Sequence, residues 1–213
     1  MSQELASTTA LPMKLQPVEL IGRIVRLQPL ELEHVPALAQ AGCHEELWRW
    51  TPMQILTEAE MRSFVETALE WQAAGTALPF VTRAVRTGEV IGSTRFANVD
   101  VANRRVEIGW TWVTPTWQRT GANVEAKYLM LRHAFEAWGS IRVEFKTDVL
   151  NQQSRRALAG IGAVEEGILR NHMVVWNGRL RDSVYFSMLP SEWPAVRERL
   201  ERKLADLSPE KAL

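Results

Sequence analysis

Between Trp112 and Phe135 the chain reads WVTPTWQRTGANVEAKYLMLRHAF: a strand that passes Pro115 and a turn around Gly121 and ends as an amphipathic helix. No other feature constrains the fold as much. A helix start presents N–H groups with no intrahelical partner and a partial positive charge. A glycine just ahead of it lets a ligand come close to the backbone. The run Gln118–Asn123, QRTGAN, therefore has the design of an anion site of the kind that holds pyrophosphate, and Arg119 can add charge. A glycine loop before a helix is more often just a loop, so the feature by itself decides little. Neither common nucleotide motif is present: there is no GxxxxGKS/T, and no G-x-G-x-x-G on an early strand–helix–strand unit.

Periodicity sets the elements around this loop. Gly22 to Leu30 reads as a strand and Glu31 to Gln40 as a short helix. Thr57 with Glu60 forms a capping box, behind which Met61, Phe64, Val65, Ala68 and Leu69 keep helical spacing. Pro79–Val85 and Val90–Ala97 are strands joined by a hairpin at Thr87-Gly88. In RRVEIGWTWV, strict alternation puts Val106, Ile108, Trp110 and Trp112 on one face, and Glu107, Gly109, Thr111 and Val113 on the other. Asn123 suits an N-cap, with Val124, Tyr128, Leu131, Phe135 and Trp138 on the helix's buried face and Gly139 at its end. IRVEFKT is a strand. Asn151–Ile161 is a short helix stopped by Gly162, and Asn177-Gly178 turns a final hairpin. Ser191 caps a last helix carrying Val196, Leu200 and Leu204. Seven strands interrupted by helices predict an α/β (α+β) fold, a mixed sheet with helices on both faces.

Charge narrows the partners. The 213 residues carry 25 basic and 25 acidic side chains, so no basic field invites nucleic acid or an anionic membrane. Cys43 is the one cysteine, which excludes an internal disulfide and a cysteine-based metal site; no metal is expected. The N-terminus lacks a basic start followed by an apolar run, and no long apolar segment occurs, so a cytoplasmic protein is expected. One domain is expected over 21–207, between a flexible Ser/Thr-rich arm, 1–20, and a short tail, 208–213.

EIGWTWVTPTWQRTGANVEAKYLMLRHAF, IRVEFKTDVLNQQSRRALAGIGAVEEGILRNHMV and GRLRDSVYFSML together resemble the GNAT superfamily of acetyl-CoA-dependent N-acetyltransferases. The resemblance is to the RimJ/RimL-like branch, typified by the ribosomal-protein N-terminal acetyltransferases. It is specific from about Val106 to Leu189 and looser over Gly22–Ala97. It implies a mostly antiparallel seven-stranded sheet whose fourth and fifth strands splay to admit the pantetheine arm of acetyl-CoA. The family loop reads Q/R-x-x-G-x-G/A. Gln118 and Gly121 match it, and Asn123 departs from the final small residue. By this likeness the N–H groups of Gln118, Arg119, Thr120, Gly121, Ala122 and Asn123 hold the pyrophosphate. Trp112 and Val113 offer backbone to pantetheine, and Asn151 fits the family's second cofactor position, though it can equally just cap its helix. Ser154 lies one turn on and shares its face.

The implied chemistry is acetyl transfer by direct attack in a ternary complex, leaving CoA as product. Glu107, on the strand lining the cleft, is the candidate base; its bland alternative is a surface glutamate paired with Arg105. Leu158 stands where many family members carry the tyrosine that protonates the thiolate. Ser154 is the nearest replacement and Tyr185 a weaker one. His133 and His172 tempt as bases but are more often structural. Arg179, Arg181 and Asp182 form a charged hairpin that borders the acceptor groove or only stabilises the arm. Trp48 and Trp50 wall the acceptor site or fill the core. The expected acceptor is an α-amine of a protein or peptide. A small amine (antibiotic, polyamine or amino acid) is the alternative, as is a non-catalytic acyl-CoA-binding module. A homodimer is compatible with the hairpin and the arm.

Overall fold

The computed structural model describes residues 13–207; the expectations for residues 1–12 and for the tail 208–213 lie outside them. The elements run β1 (Leu20–Ile21), β2 (Val25–Pro29), α1 (Val35–Gly42), α2 (Glu45–Trp48), α3 (Glu58–Ala73), β3 (Leu78–Ala84), β4 (Val90–Asp100) and β5 (Arg105–Val113). They continue with α4 (Ala122–Arg132), β6 (Arg142–Asp148), α5 (Gln152–Gly160), β7 (Val164–Val174), β8 (Leu180–Met188) and α6 (Trp193–Ala205). One eight-stranded sheet has the order β1-β2-β3-β4-β5-β6-β8-β7. The strand added to the expected seven is the two-residue β1. The expected strand Gly22–Leu30 starts only at Val25, because the N–H groups of Arg23, Ile24 and Val25 all turn to the buried Glu125 carboxylate, at 2.9, 2.6 and 2.7 Å. No helix among the described residues is long and apolar enough to cross a membrane.

The sheet divides two cores. On one face α4 and α6 bury Phe80, Phe96, Val106, Ile108, Val143, Phe145, Val184 and Phe186. On the other, α1 and α3 bury Val81, Trp48 and Trp112. Met13 packs into the first core, and the Lys14 carbonyl accepts from Trp138 Nε1.

The local signals for caps and turns have different outcomes. The capping box forms: Glu60 N donates to Thr57 Oγ1 at 3.2 Å while Glu60 Oε2 accepts from Thr57 N at 3.0 Å. Gly88 and Gly178 turn their hairpins at φ 72 and 80. Asn123, however, is not the N-cap of α4. Gly121 is, at φ 95 and with no side-chain cap. Nor does Ser191 cap α6; Glu192 occupies that position. The buried face of α4 is also wider than the expected one, which it shares at Leu131 and Trp138. Ala122, Ala126, Leu129 and Met130 meet the sheet, whereas Tyr128 and Phe135 lie sideways against Trp193 of α6, ring centroids 6.2 and 5.6 Å apart. A helix covered on two sides carries two apolar stripes; of the expected residues Leu131 and Trp138 are core, while Val124, Tyr128 and Phe135 are only partly buried.

Candidate active site

Parallel pairing within this sheet is confined to β5 and β6, and it covers three positions: Arg105↔Arg142, Val106↔Val143 and Glu107↔Glu144. Past Glu107 the strands part. β5 follows β4 to Val113, and β6 follows β8 to Asp148. The result is a wedge with Glu107 at its vertex. The expected splay between the fourth and fifth strands is this one, renumbered by β1.

A bulge re-aims the wall of the wedge. Ser93 pairs with Trp112 but Arg95 pairs with Gly109, so β5 spends three residues where β4 spends two. The extra residue is Trp110, at φ 54. The expected alternation therefore fails: Val106 and Ile108 face α4, while Trp110 turns with Trp112 toward α3, its ring 5.3 Å from Trp71.

Glu107 is only 4 % exposed, not a surface glutamate. Its Oε2 accepts from Asn98 Nδ2 at 2.9 Å and meets Lys146 Nζ at 3.3 Å. Arg105 pairs instead with Asp100 and Glu144. A Cβ placed at Gly109 would lie 2.7 Å from Glu107 Oε1, so this glycine keeps the space the carboxylate occupies.

The loop lies at the open end of the wedge. A 3-10 turn over Pro115–Trp117 leads to two left-handed residues, Arg119 at φ 64 and Gly121 at φ 95. Gln118 Nε2 donates to Val113 O at 3.3 Å, and Gln118 Oε1 lies 3.5 Å from Gln153 Nε2, a weak contact joining the loop to α5. Thr120 Oγ1 donates to Trp117 O at 2.7 Å and accepts from Ala122 N at 3.4 Å. Because Gly121 brings no side-chain cap, the first turn of α4 keeps donors for an anion. Asn123 Oδ1 is buried with no partner. The Trp112 side chain belongs to the α3 core, so only its backbone can serve a ligand.

Asn151 caps α5, its Oδ1 accepting from Ser154 N at 3.0 Å. Ser154 is half-buried beside it, and Leu158 lies in the core. The second helix start thus flanks the same opening.

On the α3 side of the sheet, a polar row continues from Glu107. Lys146 Nζ lies 5.7 Å from the Tyr185 ring centroid, and the His172 ring is edge-on to Tyr185 at 5.8 Å. His172 Nδ1 is 3.0 Å from Ser183 Oγ, and its pKa is lowered by burial and then by the Lys146 and Arg181 cations. Asp148, fully buried, takes Arg179 Nη2 at 2.5 Å and has Arg181 Nε at 4.0 Å. Arg181 Nη1 reaches the Trp50 carbonyl at 3.4 Å, and Trp176 N donates to Pro52 O at 3.0 Å. The final hairpin is therefore tied to the loop between α2 and α3. The Trp50 ring centroid lies 5.0 Å from the Arg49 guanidinium carbon and 5.7 Å from that of Arg179, while Trp48 is core. Asp182 is used locally, accepting from Asn171 N at 2.7 Å. His133 lies on the opposite side of the sheet against Phe96 and Trp138, its pKa lowered by burial, away from Glu107.

Sequence reasoning overlooked four polar residues here: Asn98 and Lys146 on Glu107, and the buried cations Arg95 and Lys127. Lys127 left a trace. It sits three residues after Val124 and four before Leu131, a charge inside the apolar stripe.

The acetyltransferase (GNAT) domain model matches residues 25–164. YdaF of Bacillus subtilis (strain 168), named as a candidate ribosomal N-acetyltransferase, is 35 % identical over 106 residues; the match covers 50 % of this chain and 57 % of that protein, little more than half its length. The crystal structure of a GCN5-related N-acetyltransferase from Brucella melitensis superposes with TM-score 0.82 at 33 % identity, covering 94 % of this chain and 90 % of that one. Mycobacterium smegmatis RimJ in complex with CoA-disulfide superposes with TM-score 0.77 at 26 % identity, covering 89 % and 96 %. With the family model spanning both strands of the wedge and the loop at its mouth, the chain belongs to the GNAT acetyltransferase family, in its RimJ/RimL-like branch, and is an acetyltransferase enzyme.

Proposed function

We propose that the protein transfers the acetyl group of acetyl-CoA to a primary amine, an α-amine of a protein or peptide, by direct attack in a ternary complex. The observation that carries this reading is Glu107, a buried carboxylate at the vertex of the β5–β6 wedge, with two helix N-termini flanking the open end. The residues present fit CoA: a glycine-capped helix start with spare donors, and an asparagine–serine pair opposite. N–H groups over Gln118–Asn123 hold pyrophosphate, the Trp112 and Val113 backbone and Asn151 hold pantetheine, and acetyl-CoA supplies the activated acyl group.

The amine nitrogen attacks the thioester carbonyl, the C–S bond breaks, and the departing sulfur leaves as thiolate. Glu107 takes the amine proton, directly or through water. Ser154 donates a hydrogen bond to the sulfur in place of the tyrosine that Leu158 replaces. An α-amine (pKa ~8) needs less help from a base than a lysine (~10.4). The polar row past Glu107 supports a peptide over a polyamine or aminoglycoside. Its cations Lys146, Arg179 and Arg181 engage Glu107 and Asp148, so neither carboxylate is free for a polycation. The RimJ relative bound to CoA-disulfide adds support.

A thermal-shift titration with acetyl-CoA, CoA, NAD and ATP tests the cofactor. A ligand at 100 times its dissociation constant stabilises the native state by ~2.7 kcal/mol. A rise with the two CoA species alone is expected, followed by acetylation of N-terminal peptides over lysine side chains. No rise with either CoA species in folded protein would end the reading.

A further inference from the structure

Arg95, on β4, is 1 % exposed and has no carboxylate partner among the described residues. Its Nε and Nη2 have no hydrogen-bond partner. Its guanidinium carbon instead sits 4.6 Å from the Phe64 ring centroid, 4.8 Å from Trp110 and 5.3 Å from Trp71. Burial alone pulls the group down to about 9, which leaves it charged at neutral pH. A cation buried without a counter-ion is costly, and aromatic faces offset only part of the cost. An apolar side chain of similar length would fill the same space at lower cost. The stability of the fold therefore gives no reason for an arginine here.

Its position supplies one. Arg95 stands opposite Gly109, at the point where the β4–β5 register breaks. Trp110, the bulged residue, holds a left-handed conformation that is unfavourable for a bulky side chain and needs outside support. The rings of Phe64 and Trp71 contact Trp110 from α3, and the guanidinium lies against all three. Gly109 in turn borders the Glu107 carboxylate. One aromatic-caged cation thus fixes the bulge between Glu107 and the Trp112–Val113 backbone.

We propose that Arg95 is a positioning residue for the acyl-pantetheine arm: by clamping Trp110 it sets the course of β5 along the wedge, so that the strand backbone meets the arm and aims the thioester at Glu107. This rests on the acetyl-CoA reading above.

The test compares acetyl-CoA with 3′-phosphoadenosine 5′-diphosphate, the nucleotide end of CoA with its pyrophosphate and without its pantetheine arm, by calorimetric titration of Arg95→Met, Arg95→Lys and the parent. Arg95→Met should melt no lower than the parent, keep its diphosphate affinity within about twofold and bind acetyl-CoA at least about tenfold more weakly. Arg95→Lys, which keeps the charge and loses the planar stack, should fall between, and Trp110→Leu should reproduce Arg95→Met. The ratio of the two affinities does not depend on the fraction folded, so a partly unfolded variant still answers. An unchanged ratio in Arg95→Met and Trp110→Leu, with the parent binding acetyl-CoA, overturns the positioning role and leaves the enzyme reading intact. A parent that binds neither ligand overturns both.

Discussion

Lys127 Nζ lies 2.7 Å from Thr111 Oγ1, and Thr111 in turn is 2.7 Å from Thr94 Oγ1. A lysine amine thus fastens α4 to β5 just past the bulge. Burial lowers its pKa to about 7, and no carboxylate pairs with it among the described residues. The folded value lies below the unfolded 10.5, so between about 7 and 10.5 the unfolded chain binds more protons. This group's contribution to stability therefore rises with pH across that window and is least below it. Lys127→Met removes the dependence. Melting curves at pH 6.5 and pH 9 should show the parent gaining on the variant as pH rises; a constant gap would refute a buried, titrating amine.

Glu107→Gln keeps an oxygen for Asn98 and cannot accept the proton. Turnover should fall roughly a hundredfold, within the range for losing a general base, while acetyl-CoA binding persists. Stopped-time assays of thiol release, beside the thermal shift, check this. Undiminished turnover would remove Glu107 from the chemistry and bring Tyr185 and His172 forward.

Gly121→Glu puts a carboxylate at the start of α4. The φ of 95 and Leu207 Cδ1, 2.3 Å from where a Cβ would stand, make any substitution there strained. Gly121→Ala carries that strain without the charge. Acetyl-CoA affinity should fall at least about tenfold further in Glu than in Ala. Equal affinities would mean that no pyrophosphate sits at this loop.

Ser154→Ala leaves the cap intact, because Asn151 accepts from the Ser154 backbone, not its hydroxyl. Melting should be unchanged while kcat drops roughly tenfold at unaltered KM for acetyl-CoA, the signature of a contact made only in the transition state. Asn151→Ala should lose about 1 kcal/mol of stability from the missing cap alone. A Ser154→Ala enzyme with full kcat would assign thiolate protonation to Tyr185 or water.

Features set by neighbours in sequence were readable from sequence. Thr57 and Glu60 make their box within one turn, Gly88 and Gly178 sit left-handed in their hairpin turns, though each connection runs longer than the expected two residues, and Asn151 caps the helix it precedes. Features set by a partner strand or a second layer were not. Nothing within RRVEIGWTWV announces that Trp110 takes a left-handed conformation, since the bulge exists only relative to β4. Asn123 looked like a cap by type, yet the left-handed Gly121 ends the loop one residue before α4 begins. Arg95 and Lys127 went unremarked because what buries them comes from other elements, α3 over Arg95 and β5 against Lys127. The family likeness pointed to the loop and to Glu107 as candidates, but could not show that Lys146 and Asn98 hold that carboxylate.

The Glu125 carboxylate gathers three N–H groups from the turn before β2, and Ile24 from that turn meets Leu207, which follows α6, beneath Gly121. Early and late stretches of the described chain therefore share one floor under the loop. Anything that settles the loop also ties down both stretches, and fraying at either one loosens it. Limited proteolysis would register this at a distance: cuts near Arg23 and near Lys203 should slow together when the loop is filled, although neither residue is proposed to touch a ligand.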